Sequence, residues 1–398
     1  MIEQLRLNGS LRRPEFEAAF RAMPRHHFLP DVAPEQVYAD SAVPIKRTHD
    51  GQVISSSSQP TMMLLMLEQL ELQPGHNVLE IGTGSGYNAA IMQHIVGPTG
   101  TVTSIEYDES IAQQAVSNLR RAHSGQVLIV TGDGVYGYAP RAAYDRIICT
   151  ANVWDIPPAW IRQLKDDGII VAPISVDGLQ YSAAFRCTEN GDLYSTSNLS
   201  CGFVRMQGIA SPPVISKQVG STAMFLYGEQ TQHIDTAALS ALLSADQDQC
   251  YLSYIPEIDE LWRGFAPYLM LNHPPDATFV IYDILRDQKA YGIERAGIAL
   301  FSPGSACLIP YTDSGQTYCF AGADAFMMVD GVLNQWVEAG KPGSDALRLR
   351  LHPRVEGETT TLLEHGRVYE RRDHTLYAWF ETQTGDTPSA DEGASQKP

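Results

Sequence analysis

The stretch Val78-Leu79-Glu80-Ile81-Gly82-Thr83-Gly84-Ser85-Gly86-Tyr87 constrains the fold of this chain more than any other. A short buried-type strand runs into a G-x-G-x-G turn, and Tyr87 to Val96 continues with apolar residues at helical spacing. A strand that turns through glycines straight into a helix opens a βαβ unit, because parallel neighbours need a crossover between them. The alternation then repeats. Thr101–Ile105 reads as a strand, Ser110–Ala122 as a helix, and Val127–Val130 and Arg146–Cys149 as strands. Pro157–Gln163 follows as a helix and Gly168–Pro173 as a further strand. This order predicts a doubly wound, mostly parallel, Rossmann-like α/β sheet.

Glycines in such a turn let the backbone approach a ligand and adopt positive φ. A dinucleotide site would read G-x-G-x-x-G and seat a pyrophosphate on the helix N-terminus. Here the third glycine comes one residue early and an acid, Glu80, stands inside the strand end. That arrangement suits a cationic, phosphate-free cofactor such as S-adenosylmethionine (SAM). Glu106 closes the second strand 20 positions after Gly86, where an acidic residue reaches ribose hydroxyls in nucleotide-binding βαβ units. Asp108 is close by but lies past the strand end. After the third strand, Gly132-Asp133-Gly134 offers a carboxylate to the adenine amino group, although an Asp between glycines is also a common turn residue. The candidate cofactor residues of this half are therefore Glu80, Gly82, Thr83, Gly84, Gly86, Tyr87, Asn88, Glu106, Tyr107, Asp133 and Gly134.

Composition narrows the class. With 398 residues the chain exceeds one ordinary core, so two domains are expected. A net charge of -18 argues against a nucleic-acid partner, because a surface this acidic repels a polyanion. The apolar runs, such as Thr61–Leu67, are far shorter than the roughly 20 residues of a membrane span. The N-terminus lacks a basic-then-apolar signal pattern, which points to a cytoplasmic protein. The six cysteines form no CxxC pair and the histidines no HxxxH or HExxH pattern, so no metal is expected.

At Ser211-Pro212-Pro213 the composition resets, predicting one domain over residues 1–213 and an α+β accessory domain over 214–382. In the latter, Thr236–Leu243 and Glu257–Leu271 read as helical, and Phe279–Tyr282 and Ala299–Phe301 as strands. Val329, Val332, Leu333, Trp336 and Val337 share one face of a later helix, and Leu347–Leu351 alternates strictly as a half-exposed strand. Residues 383–398 are polar and aperiodic, which predicts a disordered tail.

Further stretches carry a family likeness: Pro24-Arg25-His26-His27-Phe28-Leu29-Pro30, Tyr38-Ala39-Asp40, Val43-Pro44-Ile45, Gly51-Gln52-Val53-Ile54-Ser55 and Ser58-Gln59-Pro60. With the glycine turn, Gly132-Asp133-Gly134 and Tyr144–Ile148 through Ile156-Pro157, residues from about Met23 to Pro173 resemble the protein-L-isoaspartate O-methyltransferase family. The resemblance implies a SAM-dependent carboxyl O-methyltransferase with cofactor contacts at Ser58, Glu80, Gly82, Glu106, Asp133 and Gly134. Gln59 is grouped with them. It also places the substrate carboxylate near the Gln52–Gln59 loop, so Gln52, Val53, Ile54 and Ser56 become candidate substrate contacts, with Ser55, Ser57 and Ser58 the candidate catalytic hydroxyls.

Two departures stand out. The family usually reads G-Q-T-I-S-Q-P, whereas residues 51–60 carry three extra residues and a run of four serines. The stretch after the fourth strand has become Thr150-Ala151-Asn152-Val153-Trp154-Asp155, which makes Asn152, Val153 and Trp154 further candidate substrate contacts. Together with the Trp154–Trp160 stretch and the C-terminal extension, the serine run resembles a branch that acts on ribosomally made peptides such as lanthipeptides, lasso peptides and graspetides. In that branch an encoded Asp side chain is methylated and the ester closes to an aspartimide, which can hydrolyse to isoaspartate. The expected partner is then a peptide, a macrocyclic precursor. The alternatives are repair of isoaspartate in aged proteins and, in a different class, a catalytically silent SAM-binding module for peptide recognition. A carboxylate is already ionised at neutral pH, so no catalytic His–Asp or Cys–His pair is required.

Overall fold

The computed structural model describes residues 1–49, 51–355, 363 and 365–381. Two short strands, β1 (Val43–Arg47) and β2 (Val53–Ser57), form an antiparallel hairpin ahead of the main sheet. The βαβ series supplies β3 (Asn77–Ile81), β4 (Thr101–Glu106), β5 (Leu128–Thr131), β6 (Tyr144–Cys149) and β7 (Leu164–Val176). These five are mutually parallel in the order β5-β4-β3-β6-β7, the predicted doubly wound arrangement. Their near-continuous burial, Val78 to Ile81 for example, follows from helices covering both faces.

The sheet does not stop at β7. Strands β8 (Leu179–Cys187) and β9 (Leu193–Ser200), unanticipated from the sequence, extend it antiparallel. The chain then leaves to build a second sheet from β10 (Ser216–Gln218), β11 (Met224–Tyr227), β12 (Gln247–Tyr251), β13 (Thr278–Ile284), β14 (Gly297–Phe301), β15 (Ala306–Pro310) and β16 (Gln316–Phe320). This sheet is wholly antiparallel, with the order β10-β11-β13-β14-β15-β16-β12. The helices Thr236–Leu243, Ala266–Asn272 and Asp324–Glu338 accompany it, an α+β unit as predicted.

The predicted boundary needs correction. After the helix Asp324–Glu338 the chain returns, and β17 (Leu347–Pro353), β18 (Arg367–Glu370) and β19 (His374–Phe380) complete a ten-stranded first sheet, with β17 paired to β9. The second unit is thus an insertion between β9 and β17, not a block running to residue 382. One hydrophobic core also runs through both units, from Leu79 and Ile81 through Ile174 and Tyr181 to Phe279, Leu300, Trp336 and Leu376. A local composition break cannot reveal a return of strands more than a hundred residues later. The tail at 383–398 lies outside the described residues.

The stretch Trp154-Asp155-Ile156 is what receives the returning strands. Asp155, 5% exposed, accepts hydrogen bonds from the backbone N–H groups of Ile156, Asp373 and His374 at 2.8, 2.7 and 3.2 Å. Its carboxylate also lies 2.7 Å from His374 Nδ1. The buried Arg371 guanidinium stacks on the Trp154 ring and pairs with Glu229 of the insertion. Among the described residues no helix is long and apolar enough to cross a membrane.

Candidate active site

In the order β5-β4-β3-β6-β7, the connections leave β3 in opposite directions on its two sides, which creates a crevice beyond the carboxyl ends of β3 and β6. A cleft of about 790 Å³, open to solvent, lies there. Its floor is the glycine turn after β3, where Gly82 has φ +97° and the turn is tied to neighbouring strands through Gly82 N–H to Ile105 O at 2.8 Å. A Cβ at Gly82 would stand 2.5 Å from Thr150 Oγ1, so the turn has no room for a side chain on that side.

The acidic residues divide their tasks. Glu80 is fully buried beneath the turn, where it accepts from Asn88 Nδ2 at 2.8 Å and from Ser104 Oγ at 2.5 Å. Burial pushes its carboxyl up to about 7 against those two bonds, with the nearby Glu106 charge adding to the rise. Glu106 lines the cleft and accepts from the Gly84 and Asp108 N–H groups at 3.0 and 3.1 Å. Burial raises its pKa as well, outweighing these backbone bonds. Asp108 instead caps the helix Glu109–Arg121 by accepting from Ser110 and Ile111 N–H, and it pairs with Lys46 of β1. The Lys46 bond is the main cause of its pKa falling to about 2.

The hairpin β1–β2 closes the cleft from above. Residues 53–57, predicted as loop, are a strand, because Ser55, Ser56 and Ser57 pair with Lys46, Pro44 and Val43. The Ser56 carbonyl oxygen comes within 3.4 Å of where a Cβ would stand on Gly84, with Ser55 Oγ at 3.9 Å. Arg25, wholly buried, fixes this strand end: its guanidinium donates to the carbonyls of Val37, Ala39, Ser41, Ser57 and Ser58. Asp40 accepts from Thr61 N–H and from Gln59 Nε2, at 2.9 and 3.2 Å. The sequence had marked the motifs around Arg25 and Asp40 without assigning them a role; both position the serine strand.

Of the predicted residues, Ile54, Ser55, Ser56, Ser57, Ser58, Gly82, Thr83, Gly84, Tyr87, Asn88, Glu106, Tyr107 and Gly134 line the cleft together. Gln52, Val53, Gln59, Glu80, Gly86 and Asp133 do not. Asp133 caps its own turn through Val135 N–H at 3.0 Å and accepts from Ile209 N–H at 2.9 Å, so its carboxylate tethers the 204–210 segment. Gly208 packs so tightly there that a Cβ would fall 2.3 Å from that carboxylate.

The substrate contacts predicted at Asn152, Val153 and Trp154 are corrected. Asn152 and Val153 are 3% and 0% exposed, and Asn152 exchanges hydrogen bonds with Ser175 Oγ. Trp154 lies against Arg371, away from the cleft lining. Strand pairing with Ile174 turns this segment inward. Sequence patterns missed Thr150, Ala151 and the segment Val204-Arg205-Met206-Gln207, which also line the cleft. Only the fold brings the last four beside the glycine turn.

The residues fit SAM. A glycine turn with no room for a side chain at Gly82 seats an extended ligand, Glu106 stands ready for hydroxyl donors, and among the described residues no lysine lines the floor to balance phosphates. Fold and site together define a Rossmann-like, SAM-dependent methyltransferase. More particularly, the chain belongs to the protein-L-isoaspartate(D-aspartate) O-methyltransferase family, whose model matches residues 1–210. It is a SAM-dependent carboxyl O-methyltransferase. Protein-L-isoaspartate O-methyltransferase of Methanopyrus kandleri is 37% identical over 209 residues, covering 52% of this chain and 90% of the relative. Protein-L-isoaspartate O-methyltransferase 2 of Archaeoglobus fulgidus is 38% identical over 208 residues, covering 52% and 91%. A solved protein-L-isoaspartate O-methyltransferase, 24% identical with a TM-score of 0.50, aligns over 88% of this chain and 96% of its own. That likeness of fold extends beyond residue 210 into the insertion.

Proposed function

We propose that this chain methylates an aspartate-derived carboxylate in a polypeptide, with isoaspartate as the acceptor. The observation that carries this is the serine strand lying across the glycine turn, which puts Ser55–Ser58 and Glu106 in one cleft. Bound SAM supplies an activated methyl group. The chain's task is then to exclude water and hold the acceptor, since an ionised carboxylate needs no base. Alignment alone can recover roughly 7–11 kcal/mol of barrier. Serine hydroxyls donating to the carboxylate each contribute about 1.5–3 kcal/mol.

A second reading has one specific observation in its favour. The three extra residues and four serines reshape the strand that faces the acceptor, which suits an encoded Asp in a ribosomally made, macrocyclic peptide. In that case the next residue's amide nitrogen attacks the ester carbonyl and methanol leaves, giving an aspartimide one water lighter than the substrate. The Trp154–Trp160 stretch no longer favours this reading, because Trp154 and Asp155 serve the returning strands and Trp160 is buried with its Nε1 donating to Gly134 O at 2.8 Å. Nor does the C-terminal extension, since a relative of the general family shares the fold over most of this length.

Purified protein, SAM and two peptides distinguish the readings: one isoaspartyl peptide, and one macrocycle with a normal Asp. Methylation of the first alone supports the isoaspartate acceptor, and of the second alone the peptide-maturation role. Methyl transfer to neither overturns both.

A further inference from the structure

Among the described residues, the cleft lining contains two ionisable charges, Glu106 and Arg205. Glu106 is turned to the backbone N–H groups of Gly84 and Asp108. Arg205 is therefore the one cation of the lining, in a chain whose net charge is -18. A carboxylate approaching this cleft meets an unfavourable field from the protein as a whole, and the serine hydroxyls, though they donate, carry no opposite charge.

The backbone around Arg205 is held on both sides. Asn152 N–H donates to Val204 O at 2.8 Å, and Met206 N–H donates to Asn152 O at 2.9 Å. Asn152 is itself locked by its two bonds with Ser175. The Arg205 guanidinium is half-buried and donates through Nη2 to the Pro212 carbonyl. That carbonyl takes one of five N–H donors arranged in a planar fork that matches a carboxylate.

We propose that Arg205 recognises the charge of the acceptor carboxylate, binding one oxygen and leaving the other to take the methyl group. This deepens the methylation proposed above and rests on it. Asn152, expected from sequence to touch substrate, is on this account a positioning residue that acts through Arg205.

The test uses the full-length protein and whichever acid peptide the wild type methylates. With S-adenosylhomocysteine present to block turnover, binding of that peptide is compared with binding of its carboxamide analogue. Wild type should prefer the acid by about tenfold to a hundredfold, the span of one charge-assisted bond. R205Q should bind both alike and raise KM by a similar factor, R205K should recover part of the preference, and S-adenosylhomocysteine affinity should stay within twofold. R205Q that folds and methylates but keeps the acid preference overturns the assignment of Arg205 alone. If R205Q does not fold, R205K decides: an undiminished preference combined with unchanged KM overturns the assignment. Wild type that methylates no acid peptide removes the underlying reaction and the assignment with it.

Discussion

The two sheets are built on different terms. In the first, five parallel strands deliver their carboxyl ends to one edge, and the turns after β3, β4, β5 and β6 contribute to the cleft. In the second, seven antiparallel strands alternate direction, so their ends are shared between two edges, and none of its residues lines the cleft. Parallel strands with crossover helices concentrate loops and helix N-termini on one side, which is why chemistry gathers there. The antiparallel insertion is joined to the first sheet by a continuous core and by the Arg371–Glu229 ion pair. Separate roles are thus compatible with a shared core.

Within the first sheet, substitutions at the glycine turn and at the seat of the returning strands should have separable effects. The largest is expected for Gly82→Val. The residue has φ +97° and its Cβ would meet Thr150 Oγ1, so SAM affinity should fall by more than about a hundredfold, measured by calorimetry. The returning strands β17–β19 should keep their hydrogen-exchange protection. Asp155→Ala should do the converse. Stranding the N–H groups of Ile156, Asp373 and His374, two of them buried, costs about 3 kcal/mol, read as faster exchange in β19, while cofactor affinity in the folded protein changes less than about threefold. Loss of cofactor binding in that variant would erase the distinction between the glycine turn and the returning strands.

A third effect, seen only against pH, concerns Glu80. Its folded pKa stands near 7 against an ordinary 4.5, so between those values the folded protein holds a proton that the unfolded chain has released. Its contribution to stability is fully present below about pH 4.5 and is lost as pH rises through about 7, at no more than about 1.4 kcal/mol per pH unit. Glu80→Gln should flatten that decline in melting temperature between pH 4.5 and 7. An unchanged slope would mean that the carboxyl titrates normally, in spite of its burial.

Much of the cofactor half was legible because its signals are local. The helix Tyr87–Val96 has the predicted bounds, and the parallel strands fall within a few residues of prediction. Glu106 lies in the cleft because strand length and turn spacing alone put it at a strand end. Asp133 follows the same spacing, yet its carboxylate turns to Val135 and to Ile209, 76 residues away. The serine run read as loop because polar residues carry no strand period, whereas pairing with Val43, Pro44 and Lys46 makes it a strand.

By itself the sequence determined the parallel sheet, the glycine turn and the cofactor class, since each depends on residues a turn or two apart. Tertiary structure decided which strands close the first sheet, that Asn152 and Val153 face inward, and that Arg205 reaches the cleft. Those outcomes depend on burial and pairing between residues tens to hundreds of positions apart, and no local pattern encodes such partners.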